Sequence, residues 1–309
     1  MKWFDKNQRA LPWRKNPSPW SILLSEILLQ QTQMERGVEY HQRLFERFPT
    51  PSSMAESEVD EVLFLWQGAG YYSRARRLHS LSQIVVNDYG GVLPSMYDDL
   101  LALPGIGPYT AAAVASIAFN HPVACVDGNV RRVMARQTNN ENPTVKDVQE
   151  FADVNLFRDH PGDWNQAMME LGAMICRPRN PLCDACPVRM SCKGTFRANE
   201  LPQPKKKKKK NVELQCILKI DSQGRPELIQ RPNSGLFAGL WGPQIADELD
   251  TKGLDYLGSI RHVLSHRVMM IHVWKDSCEQ GIDPHTVALS TLDRRILALA
   301  GVFFDVPLE

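Results

Sequence analysis

The chain has no apolar run approaching the roughly 18 to 20 residues that cross a membrane as a helix, which argues against a membrane-spanning protein. Its start, Met1-Lys2-Trp3-Phe4-Asp5, also lacks the apolar stretch of a secretory signal. Neither sign of charge dominates. The net charge is +1, so no global basic field announces a nucleic-acid partner, and any such binding must come from local patches. Candidates are Arg74, Arg76 and Arg77, then Arg131, Arg132 and Arg136, then Arg177 and Arg179. Repeats of fixed period are missing, and the only low-complexity tract is a lysine run. What is present is size: 309 residues, 43% of them hydrophobic, can build two domains with real cores. A monomer in a reducing cytoplasm is expected.

That lysine run, Lys205 to Lys210, follows Leu201-Pro202-Gln203-Pro204 and repels itself, so residues 201–211 read as a linker between domains at 1–200 and 212–309. Before it, residues 20–34, 58–66, 74–86, 109–119 and 130–136 carry helix-type apolar spacing, which predicts an all-helical half. After it, residues 212–220 and 267–274 read as strands and 291–300 as a helix, which predicts an α+β half.

Four of the seven cysteines, Cys176, Cys183, Cys186 and Cys192, fall within 17 residues at spacings of six, two and five. Four thiolates are the ligand set of a 4Fe-4S cluster. Structural zinc usually takes two short pairs, and here only Cys183 and Cys186 form one. A chance grouping of buried thiols or a pair of disulfides is the plainer alternative.

Two carboxylates attract notice next. Ser18-Pro19 resembles a helix N-cap with proline in the first turn, and the helix it opens carries Glu26 amid Ile22, Leu23, Ile27, Leu28 and Leu29. Burial there raises a carboxyl pKa and makes a general acid. The apolar stretch Val123-Ala124-Cys125-Val126 ends in Asp127-Gly128-Asn129 ahead of another helix, whose N-terminus favours an anion. One carboxyl held neutral and one held charged is an arrangement that cleaves glycosidic bonds. Between them in sequence, Leu103-Pro104-Gly105-Ile106-Gly107-Pro108 sets Gly105 and Gly107 in a turn at a helix N-terminus, which suits a phosphate or is only a loop.

Together these pieces resemble the helix-hairpin-helix DNA glycosylases with an iron–sulfur cluster, and among them the MutY-type adenine DNA glycosylases. The resemblance rests on Leu11-Pro12-Trp13-Arg14, on Ser25-Glu26-Ile27-Leu28-Leu29-Gln30-Gln31-Thr32 and on Trp66-Gln67-Gly68-Ala69-Gly70-Tyr71-Tyr72. It extends through the hairpin, Val126-Asp127-Gly128-Asn129-Val130, Glu170-Leu171-Gly172 and the four cysteines. It implies a mainly α-helical helix-hairpin-helix domain with a 4Fe-4S loop, followed by an α+β Nudix-like domain. The implied reaction is excision of undamaged adenine opposite 8-oxoguanine or guanine, after the base is flipped from double-stranded DNA. On the same basis Glu26 protonates adenine N7, Asp127 stabilises the sugar cation, and Asn129 positions the catalytic site. Trp13, Arg14, Leu29 and Glu170 line the adenine pocket, and Gln31 and Tyr71 enter the base stack.

Tyr109 stands where bifunctional relatives such as endonuclease III carry a Schiff-base lysine, so little or no lyase activity is implied. Gly235-Leu236-Phe237-Ala238-Gly239-Leu240-Trp241 resembles the entry motif of the Nudix-like domain, without the clustered glutamates of a Nudix hydrolase. His262-Val263-Leu264-Ser265-His266 resembles the loop that reads the lesion, with Leu264 where the family usually has phenylalanine. The resemblance also implies a bacterial-type, nucleoid-associated enzyme. The rival readings are a thymine (G:T) glycosylase of the same superfamily and a non-catalytic iron–sulfur DNA-binding module.

Overall fold

Ser18 and Pro19 open the helix Pro19–Leu28 as their chemistry favours: the Ser18 hydroxyl accepts from the Ser21 N–H at 3.1 Å, and Pro19 occupies the first turn. The computed structural model describes residues 1–15, 17–203 and 209–304. Every residue from Trp20 through Leu28 is buried, so this helix is apolar nearly all round and runs through the helical core. It stops earlier than its spacing predicts. A turn over residues 29–33 interrupts the expected helix 20–34, Gln31 takes a left-handed φ of 60°, and a new helix begins at Met34. The Gln30 amide donates to Thr110 Oγ1 at 3.1 Å, a tertiary bond that the local spacing does not encode.

The chain forms two compact units, Met1–Glu56 with Ser80–Lys205 and Ser57–His79 with Lys206–Glu309. The helical and α+β halves are as expected, but residues 57–79 go with the second unit rather than the first. Polar pairing explains the exchange: Gln67 Oε1 accepts from the Leu289 N–H at 3.1 Å and from Arg294 Nη2 at 2.6 Å. Residues 204–208, most of the expected linker, lie outside the described residues. Of its flanks, Leu201 is buried and Lys210 already belongs to a strand.

In the first unit, the hairpin joins the helices Tyr97–Ala102 and Pro108–Phe119 through a turn in which Gly105 takes φ 84°. Only glycine adopts that conformation without steric cost. Ala112, Ala113 and Cys125 form one buried cluster beside it, and Ala124, Val130, Met134 and Val148 another. The helix Pro161–Glu170 passes directly into a π turn, Leu171–Ile175, that delivers the chain to Cys176. Such π segments frequently occur at functional sites.

In the second unit, β1 (Lys210–Ile220), β2 (Gln244–Ala246), β3 (Asp255–Val263) and β4 (Arg267–Ser277) form a sheet in the order β2-β1-β4-β3. β1 and β4 are parallel, with Lys210 opposite Arg267, while β3 and β4 form an antiparallel hairpin closing at Val263 and Val268. Leu264, Ser265 and His266 are therefore the hairpin tip. The helix Thr291–Ala298 packs Leu292, Ile296 and Leu297 against Leu218, Ile271 and Val273 of the sheet. Its N-cap Ser290 and Asp293 form a capping box, and Arg231 Nη2 pairs with the buried Asp293 at 2.6 Å. Among the described residues no helix is long and apolar enough to cross a membrane.

Candidate active site

Glu26 sits on the long apolar helix and is 7% exposed. Its Oε2 accepts the Tyr109 hydroxyl at 2.7 Å, and that hydroxyl also lies 3.1 Å from Met169 Sδ. Burial pushes the Glu26 carboxyl from 4.5 up to about 7; the Tyr109 bond and Arg14 oppose the shift, and the nearby Asp127 charge adds to it. Burial likewise drives the Tyr109 hydroxyl well above its usual range.

These groups open on one cavity of about 340 Å³, lined by Trp13, Arg14, Glu26, Leu29, Tyr109 and Glu170 among others. All four expected pocket residues are thus brought together with the expected acid. Glu170, buried at the last turn of its helix, accepts from Arg14 Nη1 at 2.7 Å and Arg9 Nε at 2.8 Å. Arg14 Nε in turn donates to Gln166 Oε1 at 2.8 Å. The cavity sets apolar lining from Leu11, Trp13, Ile22 and Leu29 beside the donors and acceptors of Arg14, Gln166 and Glu170, a combination that holds and orients a small ligand.

Asp127 caps the helix Gly128–Thr138: its Oδ1 accepts from the Val130 N–H at 2.7 Å, and its Oδ2 from Asn129 Nδ2 at 2.7 Å. Asn129 Oδ1 accepts from Arg132 Nη2 at 2.7 Å, and Arg132 continues to the carbonyls of Gly172 and Cys176. Gly172 is a close approach: a Cβ there would meet Asn129 Cβ at 2.5 Å. Asp127 does not line the cavity that Glu26 opens on, but its charge reaches Glu26; a buried carboxyl that holds its proton to about pH 7 and a second, hydrogen-bonded carboxyl near it can deliver a proton to a leaving base and stabilise the cation left behind.

Comparison with known proteins bears on this geometry. The description "HhH-GPD superfamily base excision DNA repair protein" matches residues 24–156. The adenine DNA glycosylase of Rattus norvegicus is 33% identical across 90% of this chain and 70% of its own length. That of Buchnera aphidicola subsp. Baizongia pistaciae is 31% identical across 89% of this chain and 84% of its own. The chain belongs to the adenine DNA glycosylases. Among solved structures, a thermostable thymine-DNA glycosylase is similar at 31% identity and a TM-score of 0.58, covering 62% of this chain and 91% of that one. A non-covalent endonuclease III–DNA complex is similar at 27% identity and 0.56, covering 62% and 90%. The chain is a base-excision repair enzyme that acts on adenine in DNA.

In this adenine DNA glycosylase the four expected cysteines line one cavity of the first unit, along with Arg136 and Leu171. None is in a disulfide, which removes that alternative. Among the described residues no three His, Cys, Asp or Glu gather as tightly as a single metal ion requires. The thiols nevertheless sense one another: burial first, then the neighbouring Cys176 and Cys192, hold Cys183 above its ordinary range. Arg136, 1% exposed, threads the loop, donating to the carbonyls of Cys176, Arg177, Pro178 and Leu201 and approaching Cys176 Sγ at 3.3 Å.

That arrangement corrects the basic patches expected from sequence. Arg136 spends its donors on the cysteine loop and Leu201, Arg132 divides its own among Asn129, Gly172 and Cys176, and Arg74 is buried with Nη2 on the carbonyls of Ala69 and Gly70. Of the first and third patches, Arg77 and Arg179 are exposed.

In the second unit the glycosylase holds a cavity of about 420 Å³ lined by Tyr71, Arg76, Phe237, Leu264, Ser265 and His266 among others. Tyr71 takes a left-handed φ of 47° and is half exposed. Ser265 and His266 are exposed at the hairpin tip, whereas Leu264 is half buried against the sheet core. Gln31, Gly105 and Gly107 line neither cavity; Gln31 is exposed in its turn, and Gly107 caps the hairpin helix.

Sequence reasoning missed Arg9, Gln166 and Met169. Gln166, Met169 and Glu170 share one helix face by their i, i+3, i+4 spacing, a signal available once Glu170 is noticed. Arg9 carried no signal.

Proposed function

We propose that this adenine DNA glycosylase removes adenine paired opposite 8-oxoguanine or guanine and leaves the strand uncut. The observation that carries the reading is Glu26: a buried carboxyl still about half protonated near pH 7, bonded to Tyr109, on a cavity with the lining of a base site. In this mechanism Trp13, Arg14, Leu29 and Glu170 hold the extruded adenine, and Glu26 gives its proton to N7. Asp127, held by Asn129 and the helix N-terminus, offsets the positive charge growing on the sugar. Water completes the hydrolysis. Tyr109 has no amine, so β-elimination through a Schiff base has no nucleophile at this position.

Gln31 and Tyr71 are read as the side chains that fill the vacated stack, and the Gly105–Gly107 turn as a phosphate contact. The tip Leu264-Ser265-His266 on the α+β, Nudix-like unit is read as the reader of the base opposite adenine. The donor set of Cys176, Cys183, Cys186 and Cys192, four free thiols around one cavity beside the buried Arg136 cation, fits a 4Fe-4S cluster. Such a cluster would offset part of the thiolate charge, with Arg136 beside it, and pin the loop as architecture. A monomer working on the nucleoid of a bacterial-type cytoplasm suits a chain whose seven cysteines are all free.

The test is base release from duplexes holding A opposite 8-oxoguanine, A opposite guanine and T opposite guanine, with and without alkali. Adenine release from the first two, with strand breaks only after alkali, is expected. Thymine release at a comparable rate would transfer the reading to a G:T enzyme, and breaks without alkali would overturn the assignment of Tyr109.

A further inference from the structure

Among the described residues, six non-glycine residues have a positive φ, and three of them are asparagines, the side chain that tolerates it best. Two of those, Asn120 and Asn139, are helix C-caps, a local reason for the conformation. The other three are Gln31, Tyr71 and Phe237, at φ 60°, 47° and 57°. Bulky residues hold that backbone only where the surroundings enforce it, and such positions cluster at binding sites. Gln31 and Tyr71 are the two side chains read above as entering the base stack. Phe237 has no comparable role so far, and it caps no helix.

Its surroundings point to one. Phe237 lies between Gly235 and Gly239 and lines the same cavity of about 420 Å³ as Tyr71, Ser265 and His266, within the size range of sites for small planar ligands. The ring is half buried, meets the His262 ring edge-on at 6.1 Å, and has the Arg231 guanidinium 5.7 Å from its centroid. Neighbours on two sides fix its orientation. A base read along its edge by hydroxyl and imidazole groups also needs a flat surface to lie on. Leu264 also lines the cavity and, like Phe237, packs on the sheet core, but its aliphatic side chain offers no such surface. Tyr72 is buried with its hydroxyl on Leu289 O, and Tyr71 is already committed to the stack. Of the other rings on the cavity, His262 meets Phe237 edge-on and His266 is exposed at the tip, which leaves Phe237 as the wholly apolar ring with a fixed orientation.

We propose that Phe237 supplies the flat face on which the base opposite the excised adenine stacks, a role its position allows and Leu264 does not fill. This rests on the reading of the second unit given above. Ser265 and His266 then report the identity of the base, and Phe237 supplies the affinity that makes their contacts count.

The test uses the full chain and a duplex whose target adenine carries a 2′-fluoro group that blocks cleavage, placed opposite 8-oxoguanine or guanine. Phe237→Leu keeps apolar volume but removes the face, and is expected to weaken binding to the 8-oxoguanine duplex by roughly five- to a hundred-fold. Phe237→Trp is expected to keep it. Single-turnover excision opposite guanine reports that the chemistry is intact. If the unaltered enzyme itself shows no preference between the two duplexes, the lesion-reading assignment fails; if it does and Phe237→Leu binds the 8-oxoguanine duplex as tightly as the unaltered enzyme, only the present inference fails. A measurement on the unaltered enzyme covers a variant that does not fold: irradiation of a duplex with 8-bromoguanine opposite the blocked adenine is expected to crosslink at Phe237 or its immediate neighbours. Crosslinks confined to residues 264–266 would overturn the proposal.

Discussion

Tyr109 donates its hydroxyl to Glu26 Oε2 across 2.7 Å, and the bond works against the effect that burial has on the same carboxyl. A hydrogen bond to the charged form favours the carboxylate, whereas loss of water favours the acid. Burial is the larger effect, and the outcome is a proton held until about pH 7. Weaker burial would leave Glu26 ionised at neutral pH; loss of the Tyr109 bond would make it a poorer proton donor. The pair sets the working pH of the acid.

Glu26→Gln should abolish adenine release with duplex binding nearly unchanged, because an amide keeps the shape but delivers no proton. In the unaltered enzyme, single-turnover excision should decline as pH rises through about 7, where the acid is lost. Stability should also fall as pH rises, over a window that opens lower. Below 4.5 both folded and unfolded chains hold the proton and burial costs nothing through ionisation; between 4.5 and about 7 the unfolded chain ionises while the folded one does not. Stability is therefore lost across that window, up to about 3 kcal/mol above it. Denaturation of Glu26→Gln should show a gain of that order at pH 8 that disappears toward pH 4; equal stability at every pH would mean that Glu26 is not buried as an acid.

Tyr109→Phe removes the one interaction on the ring side that lowers the Glu26 pKa. The alkaline limb of the pH profile should move to higher pH, and the rate at the optimum should fall by about tenfold through lost positioning. An unmoved limb would show that the hydroxyl does not act on Glu26.

Much of this site was visible in the sequence because its chemistry is local. Ser18 and Asp127 cap their helices, and Glu26 interrupts an apolar run, so each announces its environment within a few residues. What stayed hidden depends on distant partners. The helix expected over 20–34 breaks at a left-handed Gln31, with Gln30 bonded to Thr110 eighty positions on. Arg136 reads as a surface charge until the carbonyls of residues 176–178 and 201 are seen around it. Residues 57–79 carry ordinary helical spacing, and nothing in that spacing says that Gln67 pairs with Leu289.

Gly172→Ala tests the bridge between the cysteine loop and Asp127. A methyl group would stand 2.5 Å from Asn129 Cβ and push that side chain off both Asp127 and Arg132. Crowding of this kind costs about 1 to 3 kcal/mol. Excision should fall further than the change in stability accounts for, since the displaced Asn129 also misplaces the carboxylate; activity that merely follows the folded fraction would make Gly172 a packing residue alone.

Deleting residues 212–309 is the obvious way to ask where lesion preference resides, but the fold makes it a poor experiment. Gln67 would lose its partners Leu289 and Arg294, and the fully buried Trp66 belongs to the unit being removed. Substitutions at the hairpin tip are cleaner because Ser265 and His266 are exposed there. Arg267 Nε donates to His266 Nε2 at 2.8 Å, and His266 Nδ1 lies 3.5 Å from the Ser265 hydroxyl. The tip thus offers a hydroxyl and an imidazole ring that can hydrogen-bond a base edge. Ser265→Ala with His266→Ala should reduce the preference for 8-oxoguanine over guanine by roughly tenfold or more, the effect of one or two lost hydrogen bonds, while excision opposite guanine stays within about twofold. A double variant that still discriminates like the unaltered enzyme would move lesion recognition away from the tip, and one that loses both activities equally would assign the tip to general DNA binding.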